Sequence, residues 1–287
     1  MGLGLSLSAG RPDILSDCSL VARPQTILYS ITRLRRVFDR DYHQPADASW
    51  LKLNGAFASK FFKRACFNFF LRGHSAIQII VNNPFRIGVL GSGKGSNFIA
   101  LADAVAAGKI PAQIAVVLSD VESAGILMHA RERKIPAQFI PPGSFRTKLD
   151  EAAEQAFVAA LQNANVDLIV LAGFMRVLKG DFLRAFAGRI INIHPSLLPC
   201  FPGLQSWKQA LDYGVKTAGC TVHFVDAGVD SGAIIGQQPV PVLDDDTPES
   251  LHQRIHAAEH ELYPRCVAAL ARKEITVVGR RVIWKKL

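Results

Sequence analysis

The chain has 287 residues, 49% of them hydrophobic, enough to bury the core of one or two domains; no apolar run reaches 18 residues, so no membrane partner is expected. Five cysteines (Cys18, Cys66, Cys200, Cys220 and Cys266), odd in number and without a C-x-x-C pair, exclude a disulfide framework and a zinc ribbon and fit a reducing, cytoplasmic setting. Of the formal net charge of +9, +6 lies in residues 1–84, which hold eleven Lys/Arg and five Asp but no Glu; a nucleic-acid binder would carry its surplus on the folded domain, so no nucleic-acid partner is expected.

Residues 1–84 read as a basic, irregular and poorly ordered N-terminal extension, with "RLRR" at 33–36 and an amphipathic basic pattern, "KFFKRACFNFFLR", at 60–72. From residue 85 the rhythm changes. Short β-branched runs predict strands at 85–90, 112–120, 137–140, 166–173 and 189–194, and the segments between them predict helices at 97–107, 123–133 and 146–163. Continuous apolar strands divided by helices imply an α/β fold, a mostly parallel Rossmann-like sheet flanked by helices on both faces. Residues 218–225 and 233–242 are two more strands, joined by a short polar loop and expected to be antiparallel; a last helix is expected over 247–272.

The first strand runs into "GVLGSGKGSN", 88–97, which opens the first helix. Free backbone N–H groups and the helix dipole favour an anion there, and Ser96 and Asn97 are good N-cap residues. Read from Gly88 the stretch is nearly a Walker A loop, but Gly95 stands where a Mg²⁺-binding hydroxyl is needed. Read from Gly91 it is nearly a dinucleotide fingerprint; Asp120 could supply that motif's acid, but position 96 lacks the third glycine. A tight turn without ligand is the plain alternative, and a small phosphomonoester is the most natural guest.

In "INIHPSLLPCFPG", 191–203, a strand ends in Asn192 and His194, whose side chains share one face. An amide donor beside an imidazole at a strand's C-terminal end can polarise a carbonyl and move a proton. Downstream, "DAGVDSGAII" at 226–235 offers Asp226 and Asp230; a carboxylate beside His194 would favour imidazolium, whereas the bland reading is an Asp/Gly turn. His252, His256 and His260 recur every fourth residue on the last helix, a spacing that allows a metal, but no third ligand type accompanies them and no metal is expected. Glu259, among them, could neutralise an amine.

Together "GSGKGSN", "AGFMRVL" (172–178), "INIHPSLLP", "VDSG" (229–232) and "AEHELYP" (258–264) resemble the phosphoribosylglycinamide formyltransferases, over roughly 85–287. That resemblance implies the formyltransferase fold for a catalytic domain at 85–287, with 10-formyltetrahydrofolate as co-substrate and glycinamide ribonucleotide as acceptor in purine biosynthesis. It implies that Gly95, Ser96 and Asn97 hold the ribonucleotide phosphate and Glu259 its glycinamide end. Met175, Arg176, Val177, Leu178 and the 225–230 loop would line the pterin pocket, with Arg146 and Asn192 as further folate contacts. Asn192, His194 and Asp230 would be the catalytic trio, in a monomer or homodimer. Gln205, Ala227 and Cys200 depart from residues common in that family. Formyltetrahydrofolate deformylases are the rival enzyme, but their usual "HHSFLP" differs from "HPSLLP" here; a non-catalytic dinucleotide- or folate-binding regulator is the rival from another class.

Overall fold

A computed structural model of the chain describes residues 84–285. Apart from Pro84, the expected N-terminal extension lies outside the described residues. In chain order the elements are β1 (Phe85–Leu90), α1 (Ser96–Ala106), β2 (Ala112–Ser119), α2 (Gly125–Glu132), β3 (Ala137–Phe139), α3 (Glu151–Asn163), β4 (Leu168–Leu171), α4 (Gly180–Ala185) and β5 (Ile190–His194). There follow α5 (Ser206–Tyr213), β6 (Thr217–Phe224), β7 (Ile234–Pro241), α6 (Pro248–Ala271), β8 (Ile275–Val278) and β9 (Arg281–Trp284).

Seven strands form one sheet in the order β3-β2-β1-β4-β5-β6-β7. β1 to β5 run parallel, and β6 turns antiparallel to both β5 and β7. Each face carries its own core. Ile87 and Val89 of β1 pack with Phe98 of α1, Ile126 of α2 and Ile255 of α6; Leu90 packs on the other side with Phe157 and Leu161 of α3 and Phe182 of α4. Gly88 faces that second layer, and a Cβ there would stand 2.6 Å from Leu161 Cδ2. It is a packing glycine inside a strand, so the Walker reading, which needs it in the phosphate loop, does not hold.

α6 is fastened at its start and again along its length. Thr247 and Ser250 form a capping box, their hydroxyls taking each other's backbone N–H at 3.2 and 2.9 Å, with Pro248 in the first turn. Deeper along the helix, the buried Tyr263 hydroxyl lies 2.9 Å from the Leu171 carbonyl and 3.2 Å from that of Ile191, pinning α6 to the last residue of β4 and the first part of β5. A buried hydrogen bond of this kind contributes about 1 kcal/mol, and stranding its acceptors costs about 1–3 kcal/mol.

Several boundaries differ from expectation. The helix expected from residue 146 starts at Glu151, because Asp150 caps it by accepting the Ala153 N–H at 2.8 Å. Neither Ser96 nor Asn97 is an N-cap: Gly95 holds that position with φ 85°, and no side chain caps α1. α4, α5 and the β8–β9 hairpin were not expected. The two helices have six and eight residues, and α4 buries only Phe182, too little for an apolar period to show. The hairpin is anchored by Trp284 Nε1, which donates to the Ile235 carbonyl at 2.9 Å. Among the described residues no helix is long and apolar enough to cross a membrane.

Candidate active site

The loops that follow β1, β4 and β5 meet at the C-terminal edge of the parallel strands, where open α/β sheets bind ligands. Asn192 lies opposite Leu171 of β4 on one side and His223 of β6 on the other; His194 lies opposite Thr221. The antiparallel turn of β6 therefore brings a second imidazole to the same edge.

His194 is buried, its side chain 6% exposed. Its Nε2 sits 3.0 Å from the Phe201 carbonyl and its Nδ1 3.4 Å from Asp230 Oδ2. A carbonyl and a carboxylate can only accept, so both contacts are satisfied when both ring nitrogens carry hydrogen. Asp230 takes a left-handed backbone, φ 50°, which Asp tolerates better than most residues. Its Oδ2 also accepts the Gly203 N–H at 2.9 Å, so the proline-rich 195–203 loop fixes the carboxylate that faces His194. Asp226 does something else: its Oδ1 accepts from Gly228 N and Ser231 Oγ at 3.1 and 2.6 Å, the bland turn reading. Of the two candidate acids, only Asp230 reaches the imidazoles.

His223 was missed from the sequence. Its Nδ1 lies 2.8 Å from the Phe224 carbonyl and so carries the proton. Burial, the largest cause, lowers its pKa below the ordinary imidazole value. The ring is therefore neutral near pH 7, and its bare Nε2 accepts the Asn192 Nδ2–H at 3.3 Å. This bond sets which end of the Asn192 amide faces the cleft. Asp230 Oδ1 lies 3.7 Å from the same Nε2.

At the start of α1, Gly95 is buried with its backbone in the left-handed region. The Asn97 side chain turns inward: Nδ2 donates to Glu259 Oε2 at 2.8 Å, and Oδ1 is buried without a partner. An anion at this helix end would be met by backbone N–H groups and Ser96 rather than by the Asn97 amide. Glu259 is 3% exposed, and burial pushes its carboxyl up to about 7, with the Asn97 bond opposing. His256 Nε2 stands 3.8 Å from Glu259 Oε2. Burial first, then His252, His260 and Lys94, lower His256 to about 4. Trp207 and the three histidines form an aromatic ladder, with Trp207 and His252 stacked at 3.6 Å. Among the described residues, no group of three or more His, Cys, Asp or Glu could hold a metal.

The expected folate residues divide. Met175 and Arg146 are exposed, whereas Leu178 belongs to the core. The Arg176 guanidinium turns inward, its Nε 2.7 Å from Asp120 Oδ2 and its Nη1 2.6 Å from the Phe145 and Arg146 carbonyls. Asp120 also accepts from Ser92 Oγ at 2.5 Å and its side chain is 1% exposed, so it is not free for a ribose hydroxyl and the dinucleotide reading loses its acid.

Residues 85–267 match the family described as Formyl transferase. The phosphoribosylglycinamide formyltransferase of Mycobacterium tuberculosis is 46% identical over 204 residues, covering 71% of this chain and 93% of that protein. A trifunctional purine biosynthetic protein, adenosine-3 of Drosophila melanogaster, is 50% identical over 187 residues, but the matched part spans only 14% of its length. Among solved structures, glycinamide ribonucleotide transformylase 1 of Symbiobacterium toebii superposes with a TM-score of 0.69 at 46% identity, covering 75% of this chain and 99% of that one. A formyltetrahydrofolate deformylase from Pseudomonas syringae shares the fold at 24% identity. A family match over most of the described residues, and relatives this similar along nearly their whole length, are decisive: the chain belongs to the phosphoribosylglycinamide formyltransferase family.

Proposed function

We propose that this chain transfers the formyl group of 10-formyltetrahydrofolate to the amine of glycinamide ribonucleotide, a step of purine biosynthesis carried out in the cytoplasm. The observation that carries the proposal is the convergence of Asn192, His194 and Asp230 at one strand end, at the same sheet edge as the uncapped start of α1. The amine nitrogen attacks the formyl carbon and the carbonyl π pair moves to oxygen. Collapse of this tetrahedral species breaks the bond to the folate nitrogen, which takes up a proton while the new amide gives one up. Asn192 Nδ2–H and His194 N–H are the donors available to the oxyanion, and Asp230, 3.4 Å from His194 Nδ1, holds the ring in place from its far side. Because His194 Nε2 is bonded to the Phe201 carbonyl, donation to a formyl oxygen requires that bond to be exchanged. Gly95 and Ser96 would hold the phosphate, and Glu259, beside Asn97, would face the glycinamide amine. Met175, Val177 and Arg146 would form the folate side. No step calls for a metal or a covalent enzyme intermediate.

The test follows folate product with and without glycinamide ribonucleotide. Product formation that depends on the ribonucleotide, with one formyl transferred per folate released, is expected. Release indifferent to the ribonucleotide would mean that water is the acceptor and that the protein is a deformylase. No release at all, with both ligands bound, would leave the non-catalytic regulator.

A further inference from the structure

Asp120 is a buried carboxylate that the transfer chemistry does not use, and Arg176 is a loop arginine whose charge points into the protein. Their ion pair has 1% and 16% of the respective side chains exposed. Ser92 completes the cluster. Its Oγ donates to Asp120 Oδ1 at 2.5 Å and accepts the Met175 N–H at 2.9 Å, while its own N–H donates to the Gly173 carbonyl at 3.0 Å. Arg176 Nη1 reaches on to the carbonyls of Phe145 and Arg146. Four separate stretches of chain are thereby joined: the glycine loop after β1, the end of β2, the 172–178 loop after β4, and the segment leading into α3.

We propose that Asp120, Arg176 and Ser92 form a positioning latch that couples the ribonucleotide loop to the folate loop, an inference that rests on the formyl-transfer reading. Only Gly93 and Lys94 separate Ser92 from Gly95, where the phosphate would sit, and Met175 and Arg176 lie within the folate loop itself. A shift of either loop on ligand binding must move Ser92, Asp120 or Arg176, since each bond of the cluster crosses between segments. A buried ion pair is weak as a source of stability, because desolvation offsets most of the attraction. Its geometric effect is strong, because an Arg fork bonded to a carboxylate and two carbonyls allows little play. The latch also accounts for the acid that follows β2, Asp120, which is taken up by Arg176 and Ser92.

The experiment uses the full chain with Asp120→Asn and Ser92→Ala, neither of which touches a substrate in the proposed site. Kinetics give kcat and both KM values, and calorimetry gives the Kd of glycinamide ribonucleotide with and without tetrahydrofolate, a non-reacting pair. In the unaltered protein, tetrahydrofolate is expected to tighten ribonucleotide binding at least about fivefold. In Asp120→Asn that factor is expected to fall to one and both KM values to rise about tenfold, as for the loss of a charge-assisted bond. Ser92→Ala is expected to do the same more weakly. Variants that melt at a lower temperature with unchanged KM values and coupling would reduce the cluster to a structural brace and overturn the latch, as would a rise in one KM alone. An unaltered protein that transfers no formyl group would instead overturn the reaction assignment.

Discussion

Glu259→Gln separates the electrostatic cost of a buried carboxylate from its use. Burial raises the Glu259 carboxyl from 4.5 to about 7, a difference of roughly 2.5 pH units, or about 3 kcal/mol between its protonation states. The sign follows from linkage. Below pH 4.5 the group is neutral in both folded and unfolded chains and the two proteins should be equally stable. As pH rises from 4.5 to about 7 the unfolded chain ionises while the folded one stays protonated, so the natural protein loses over that window stability that a glutamine variant of the same shape retains, and the difference levels off above 7. Urea denaturation at matched pH values from 4 to 8 measures this, because other titrating groups cancel in the difference. The variant is expected to match the natural protein at the acid end and to exceed it by about 3 kcal/mol at pH 8. It should also bind the glycinamide amine worse, raising the ribonucleotide KM. A stability difference that does not change with pH would refute the assignment of a strained, buried carboxylate at this position.

His194→Ala is expected to lower kcat at least about a thousandfold, the scale of losing an oxyanion donor and its charge, with the far-ultraviolet circular dichroism unchanged; near-normal turnover would remove it from the chemistry. For His223 the contrast of two variants is informative. His223→Ala leaves the Asn192 amide free to rotate and should reduce kcat more than KM, whereas His223→Gln, which keeps an acceptor near the Nε2 position, should restore much of it. Protonation of the natural His223 turns that acceptor into a donor against Asn192 Nδ2, so an acid limb of kcat present in the natural protein should weaken in His223→Gln.

The parallel half of the sheet was legible because its strands are buried on both faces and read as unbroken apolar runs, such as "IAVVL" in β2. α4 and α5 were not, since each is too short for a period and is held by contacts from distant segments; Glu154 Oε1, for example, accepts the Phe182 N–H at 2.7 Å. In the site, Asn192 and His194 announced themselves through strand spacing. The residues alone left Asp226 and Asp230 open and the resemblance implied Asp230; the physical reason lies in its long-range contacts with His194 and with Gly203, the latter 27 residues away. His223 became visible only through the register of β6 on β5, which no local pattern specifies. Local propensity misplaced the cap of α1: Ser96 and Asn97 have capping side chains, but a left-handed glycine before them takes the turn.

That glycine also bears on what the loop could become. A single change, Gly95→Ser or Gly95→Thr, would complete the Walker spacing. Yet the backbone at 95 has φ +85°, and a Cβ there would stand 2.9 Å from Ile126 Cα, a main-chain atom that cannot step aside. Triphosphate binding is thus one codon away on paper and separated by a steric barrier in the fold. The position keeps its glycine for as long as α2 packs where it does.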